Sequence, residues 1–104
     1  MEQNRELGCG LTKLGRMWGS DQKRVSEGEG LEFLRYAVES GVKLFDTAPS
    51  YGYSEERLGK FLRELPASTR DSLTIATKCG EGYDFATHTA FVNHSPEYLR
   101  ASIE

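Results

Sequence analysis

Along this chain, short apolar runs alternate with longer segments whose apolar residues recur every three or four positions. The runs are Leu7-Gly8-Cys9-Gly10-Leu11, Val42-Lys43-Leu44-Phe45-Asp46 and Leu73-Thr74-Ile75-Ala76-Thr77-Lys78. The first is punctuated by glycine, the second ends on a carboxylate, and the third is rich in β-branched residues and ends on a cation. Runs of this length and kind predict strands. Between them Leu31, Leu34, Tyr36, Ala37 and Val38 fall at helical spacing, and Gly41 marks a stop. Leu58, Phe61, Leu62 and Leu65 mark the apolar face of a second helix, with Ser54 as its expected N-cap and Pro66 as its end. Glu55 and Glu56 fall in its first turn, where the helix dipole favours anions. A third helix opens with Ser95 as cap and Pro96 at the first helical position, then carries Leu99 and Ile103.

The strand ends near Leu11, Asp46 and Lys78 recur at intervals of roughly 30 residues, the size of a βαβ unit. Strands interleaved with helices in this way predict an α/β fold with a parallel sheet. Two stretches break the economy of the pattern and read as long loops: Thr12–Glu29, which holds Trp18, and Cys79–His94, which holds Tyr83, Phe85 and Phe91. Both follow strand C-termini, where α/β folds place their sites.

Composition narrows the function classes. The 104 residues are 38% hydrophobic and 28% charged, with a net charge of -3, which fits one soluble domain with a real core. Acids and bases are scattered, so neither nucleic acid nor an anionic membrane is an expected partner. No apolar run reaches the roughly 20 residues of a membrane span. The start, Met1-Glu2-Gln3-Asn4-Arg5-Glu6, is polar, and the expectation is a cytoplasmic protein. In that compartment Cys9 and Cys79 are expected to stay reduced. Two separated cysteines with His88 and His94 make no metal-ligand pattern.

The candidate chemistry lies at the strand ends. If neighbouring strands run parallel and in register, Asp46 and Lys78 meet on one rim, with Tyr51 in the loop beside them. Position alone leaves two readings open, a structural ion pair and a catalytic one. Tyr53 shares the loop with Tyr51 and competes with it as the working phenol.

The run Phe45-Asp46-Thr47-Ala48-Pro49-Ser50-Tyr51-Gly52-Tyr53-Ser54-Glu55, followed by Leu58-Gly59, resembles the aldo-keto reductase signature. Ala76-Thr77-Lys78 is similar to that family's lysine motif, and Leu7-Gly8-Cys9-Gly10 to its first strand. The resemblance implies the N-terminal part of a (β/α)8 barrel, about three βα units of an incomplete barrel, with residues 1–104 as one domain fragment truncated before the fourth strand. It also implies an NAD(P)-dependent oxidoreductase acting on a small aldehyde, ketone or sugar. Residue by residue, Asp46, Tyr51 and Lys78 take three places of the family's catalytic tetrad. The fourth, a histidine at the end of the fourth strand, has no counterpart, since His88 and His94 match neither its position nor its context.

The roles implied for the three are physically coherent. A phenol with an ordinary pKa of about 10 is a reluctant proton donor at neutral pH, and an adjacent ammonium favours its phenolate form. Lys78 would supply that charge, and Asp46 would keep Lys78 protonated and oriented. The implied cofactor is NADP(H), with NAD(H) also open, and Gly10, Leu11, Thr12 and Asp46 are its expected contacts. The family usually has Gly-Thr at the first strand end, and here Leu11 intervenes. No G-x-G-x-x-G follows a strand, so a Rossmann-type cofactor site is not expected. A lone 104-residue chain of this kind is expected to be marginally stable and inactive. The alternative is a non-catalytic product that keeps the motifs and acts by association with a partner.

Overall fold

A computed structural model describes residues 7–15 and 25–104 of the protein. Trp18 lies outside the described residues. The elements run β1 (Gly8–Gly10), α1 (Thr12–Gly15), α2 (Glu27–Glu39), β2 (Leu44–Asp46), α3 (Ser54–Glu64), α4 (Ala67–Asp71), β3 (Thr74–Ala76), β4 (Glu81–Asp84), β5 (Thr89–Val92) and α5 (Pro96–Ile103). The three predicted strands are all present and form one parallel sheet in the order β1-β2-β3. Their registers align Gly10 with Asp46 and Asp46 with Ala76, so the three strand ends finish level.

Alternation along β2 decides what faces where. Phe45 points into the layer between sheet and helices and is fully buried, joined there by Leu34 and Ala37 of α2, Leu58 and Phe61 of α3, and Leu11 and Leu14. Its neighbours Leu44 and Asp46 therefore point to the opposite face. That face is uncovered: Leu44 is 40% exposed, and Thr74, its register partner on the edge strand β3, is exposed as well. This open, three-stranded α/β layer is a partial barrel.

Local features depart from the sequence reading, beginning with α1, which lies inside the stretch read as the Thr12–Glu29 loop. Helix α2 begins earlier than the Thr12–Glu29 loop allows, because Ser26 and Glu29 form a reciprocal capping box: each side chain accepts a bond from the other's backbone N–H. Ser54 is not the cap of α3. Tyr53 holds that position with no side-chain cap bond, and Ser54 is the first helical residue, buried, with its hydroxyl 2.8 Å from that of Thr47. Pro66 ends α3 as expected but also opens the short helix α4. The Cys79–His94 stretch is not a loop but an antiparallel hairpin, β4 against β5, with Asp84 paired to Thr89 across the turn. Ser95 caps α5 through the Tyr98 N–H, with Pro96 following, as predicted. None of the helices among the described residues is long and apolar enough to cross a membrane.

Phe45→Ala removes the side chain common to both helices and the sheet and is expected to cost about 3–5 kcal/mol. Leu44→Ala, one position away on the open face, is expected to cost far less. Equilibrium denaturation of the two variants beside the parent checks the assignment of faces, and equal losses would contradict it.

Candidate active site

Strand β2 ends on Asp46, and the backbone ladder continues past it on both sides. Leu11 N–H donates to the Asp46 carbonyl at 2.9 Å, and Thr47 N–H to the Ala76 carbonyl at 2.8 Å. Lys78 lies two residues beyond Ala76, so the period-two alternation brings its side chain back to the face that carries Asp46. Its ammonium donates to Asp46 Oδ1 at 3.0 Å and to the Thr47 carbonyl at 3.0 Å. The same nitrogen stands 5.0 Å from the centre of the Tyr51 ring. Asp46, Tyr51 and Lys78 are thus one cluster.

The loop carrying Tyr51 is fixed by its own turns. Tyr51 N–H donates to the Ala48 carbonyl and Ser54 N–H to the Tyr51 carbonyl, each at 3.1 Å. Gly52 sits between them at φ +59°, the left-handed region where a side chain is strained. Underneath, a Cβ on Gly15 would collide with the backbone of Tyr51, Tyr53 and Ser54, so only glycine permits this close approach. Arg57 reaches from α3 to the carbonyls of Leu14 and Val25 at 2.5 and 2.7 Å, tying the first loop to the same helix. Thr77, just before Lys78, donates its hydroxyl to Glu55 in the first turn of α3.

Partial desolvation by itself lowers the pKa of the Lys78 ammonium, but hydrogen bonds to Asp46 and Tyr51 and the charge of both outweigh it. The net result is a lysine held above its ordinary value. It stays a cation at any physiological pH.

A cleft of about 370 Å³ opens beside the cluster, lined by Ser50, Tyr51, Lys78, Glu81 and Phe91 among others. A larger hollow of about 500 Å³ lies at the opposite, N-terminal ends of the strands. Among the described residues Lys43 is the one charged side chain lining it, and they offer no chemistry comparable to that of the Asp46–Tyr51–Lys78 cluster.

The aldo/keto reductase family model matches residues 6–104. The chain belongs to the aldo/keto reductase family. It is 39% identical to the L-galactose dehydrogenase of Arabidopsis thaliana over 103 residues, which cover 94% of this chain and 28% of that protein. It is 41% identical to the aldo-keto reductase YhdN of Bacillus subtilis over 75 residues, covering 69% of this chain and 21% of the relative. Among solved structures it resembles the holo form of an aldo-keto reductase from Bacillus halodurans, with a TM-score of 0.71 and 25% identity over 94% of this chain and 29% of that one. The chain therefore spans between a fifth and a third of these relatives' length. Its three βα units are those of the family's barrel.

The remaining sequence candidates are distributed as follows. Gly10 is exposed beside Asp46 on the open face. Leu11 is 1% exposed and packs in the core; its N–H is bound to Asp46, and its carbonyl accepts from Leu14. Thr12 is the half-buried first residue of α1. Tyr53 stacks instead on the hairpin, 4.8 Å from the Phe85 ring, with the Arg57 guanidinium 5.5 Å away. His88 occupies the hairpin turn at φ 57°, with its ring 6.5 Å from that of Tyr83. His94 is exposed before α5. Sequence reasoning missed Glu81 and Ser50 as cleft residues. One available signal was the strand-forming run Thr89-Ala90-Phe91-Val92, which closes the hairpin on which Glu81 sits.

Because the folded-state pKa of Lys78 is raised, its contribution to stability is fully present below the unfolded value of about 10.4 and is lost as pH rises through the folded value. The difference in unfolding free energy between the parent and Lys78→Met is therefore expected to hold steady from about pH 8 to pH 10 and to shrink above about pH 10.4. Denaturant titrations across that range check it, and a gap that stays constant to higher pH would remove the coupling.

Proposed function

We propose that these residues form the proton-transferring corner of a nicotinamide-dependent oxidoreductase that interconverts a small aldehyde, ketone or sugar and its alcohol. The observation that carries this reading is the Lys78 ammonium, held by the Asp46 carboxylate 3.0 Å away and standing over the Tyr51 ring. An ion pair that served stability alone has no need of a phenol at its free side.

The residues fit the cofactor that the family implies. Gly10 and Asp46 lie side by side at level strand ends, and a Cβ added to Gly10 would meet nothing within 4 Å. The surface beside the Asp46 carboxylate is therefore flat and open, as a planar ring and a ribose require. Gly10, Thr12 and Asp46 are the residues that would hold the group, and Leu11 shapes the floor from beneath. NADP(H) is the preferred form, with NAD(H) the alternative. When bound, the nicotinamide supplies or accepts the hydride.

The protein's own groups then handle the proton. Tyr51 Oη gives its proton to the carbonyl oxygen as charge develops there. Lys78 stabilises the phenolate left behind. Asp46 keeps Lys78 charged and aimed, and the Thr47 carbonyl fixes the ammonium's second bond. In the reverse direction the phenolate takes the proton from the alcohol. Relatives named L-galactose dehydrogenase and D-threo-aldose 1-dehydrogenase favour a sugar among the carbonyl classes.

A second reading rests on the edge strand β3. The exposed Ile75 on it supports a non-catalytic product that binds a partner along that edge.

In the full-length product that carries these residues, Tyr51→Phe is expected to reduce carbonyl turnover with NADPH by about 10²-fold or more. Cofactor binding, followed by fluorescence, is expected to stay near parental, and Tyr53→Phe is expected to retain most of the turnover. The reverse ranking of the two phenols would overturn the mechanism. The 104-residue chain alone is expected to give no NAD(P)H oxidation in the same assay, since it spans only a fifth to a third of its relatives' length; measurable turnover would dismiss the second reading.

A further inference from the structure

We propose that Glu81 is a specificity residue, a carboxylate that accepts a hydrogen bond from a hydroxyl of an uncharged, polyhydroxylated carbonyl substrate in the Tyr51–Lys78 cleft. This rests on the reductase reading and adds to it the feature of the substrate that is recognised.

The position of Glu81 is over-determined. It lies between two buried glycines whose Cα atoms face close neighbours. A Cβ on Gly80 would come within 2.7 Å of the His94 ring, and one on Gly82 within 2.5 Å of both Phe91 and the Tyr98 hydroxyl. Gly80 also takes φ +86°, which favours glycine alone. The Tyr98 hydroxyl of α5 donates to the Glu81 carbonyl at 3.1 Å, and Asn93 N–H closes the hairpin base on the Gly80 carbonyl at 2.9 Å. A carboxylate on so fixed a backbone has few places to go, and this one lines the same cleft as Tyr51 and Lys78.

One of its oxygens is engaged and the other open. Ser50, buried and adjacent to Tyr51, donates its hydroxyl to Glu81 Oε1 at 2.6 Å. Oε2 has no partner among the described residues. A half-buried carboxylate with an open oxygen is a strong acceptor for a neutral donor, and charge-assisted bonds of this kind are short and strong. It also repels anions, so a phosphate or carboxylate on the substrate is disfavoured at this spot. Phe91, 40% exposed, lines the same cleft. An apolar ring beside an acceptor matches a sugar, whose hydroxyls project at its edges and whose C–H groups form its faces. The cleft volume of about 370 Å³ suits a molecule of that size.

The test compares glyceraldehyde with propanal, which differ by two hydroxyls on the same three carbons, in the full-length product with NADPH. The parent is expected to prefer glyceraldehyde in kcat/KM, and Glu81→Gln, which is isosteric, to lower that preference roughly tenfold or more by weakening one charged hydrogen bond. Propanal turnover should change little. Glu81→Asp, which withdraws the carboxylate by one carbon, should move the ratio the same way and serves if the glutamine variant fails to fold. Ser50→Ala removes the tether but leaves the carboxylate, so the preference should persist whatever happens to overall turnover. Parallel losses for both aldehydes in Glu81→Gln, or an unchanged ratio, would overturn the proposal while leaving the reductase reading intact. A parent that reduces neither aldehyde nor any other carbonyl overturns both.

Discussion

Everything at this site depends on a lysine ammonium that has been given two acceptors and a phenol by the registration of three parallel strands. Lys78 Nζ is bound by Asp46 Oδ1 and the Thr47 carbonyl, each at 3.0 Å. Neither acceptor is on the strand that carries the lysine. The pair exists because β2 and β3 are aligned so that Asp46 faces Ala76, which sets Lys78 just beyond the end of β2. A slip of one residue would turn Asp46 into the helix layer and bring Phe45 onto the open face. Burial of Phe45 against Leu34, Leu58 and Phe61 forbids that slip. The hydrophobic core thus sets the electrostatics of the rim.

The parts of this arrangement that were legible in the sequence are those governed by local periodicity. Three apolar runs, the helices between them and the proline-led start of α5 all follow from spacing and cap chemistry, and the level strand ends bring Asp46 and Lys78 together as expected. What escaped the reading depends on contacts that spacing does not reveal. Ser54 looks like an N-cap because a serine precedes two glutamates, but its hydroxyl is drawn inward to Thr47, and the close approach of Gly15 fixes the turn that puts it there. Ser26 and Glu29 carry a readable capping box, but it lies inside a stretch whose polar composition reads as loop.

The hairpin leaves still less trace in the sequence. Glu81–Asp84 and Thr89–Val92 lack the strict apolar–polar alternation of a half-buried ribbon, and their connection contains no Asn-Gly or Asp-Gly turn. The hairpin is held instead by ring contacts and cross-links from elsewhere. Tyr83 packs against Phe85, Phe85 against Tyr53, and Phe91 against Tyr98. Three aromatics scattered through an apparent loop were the visible trace of a small aromatic layer, unrecognisable until its partners on α3 and α5 were in place.

That layer explains why two tyrosines two residues apart on one loop have separate roles. Gly52 reverses the chain between them at φ +59°, so their side chains leave in different directions. Tyr51 meets the ammonium, and Tyr53 meets Phe85 and the Arg57 guanidinium. The second contact anchors the hairpin to α3, and the Ser50–Glu81 bond anchors it to the loop that carries the first phenol. The hairpin is therefore fastened on both sides of Tyr51, by an aromatic stack on one and a charged hydrogen bond on the other. A mobile cover would be fastened at one end only. A wall fixed at both can hold the Glu81 carboxylate at a set distance from the Tyr51 phenol, and that is the property a hydroxyl-reading pocket would require.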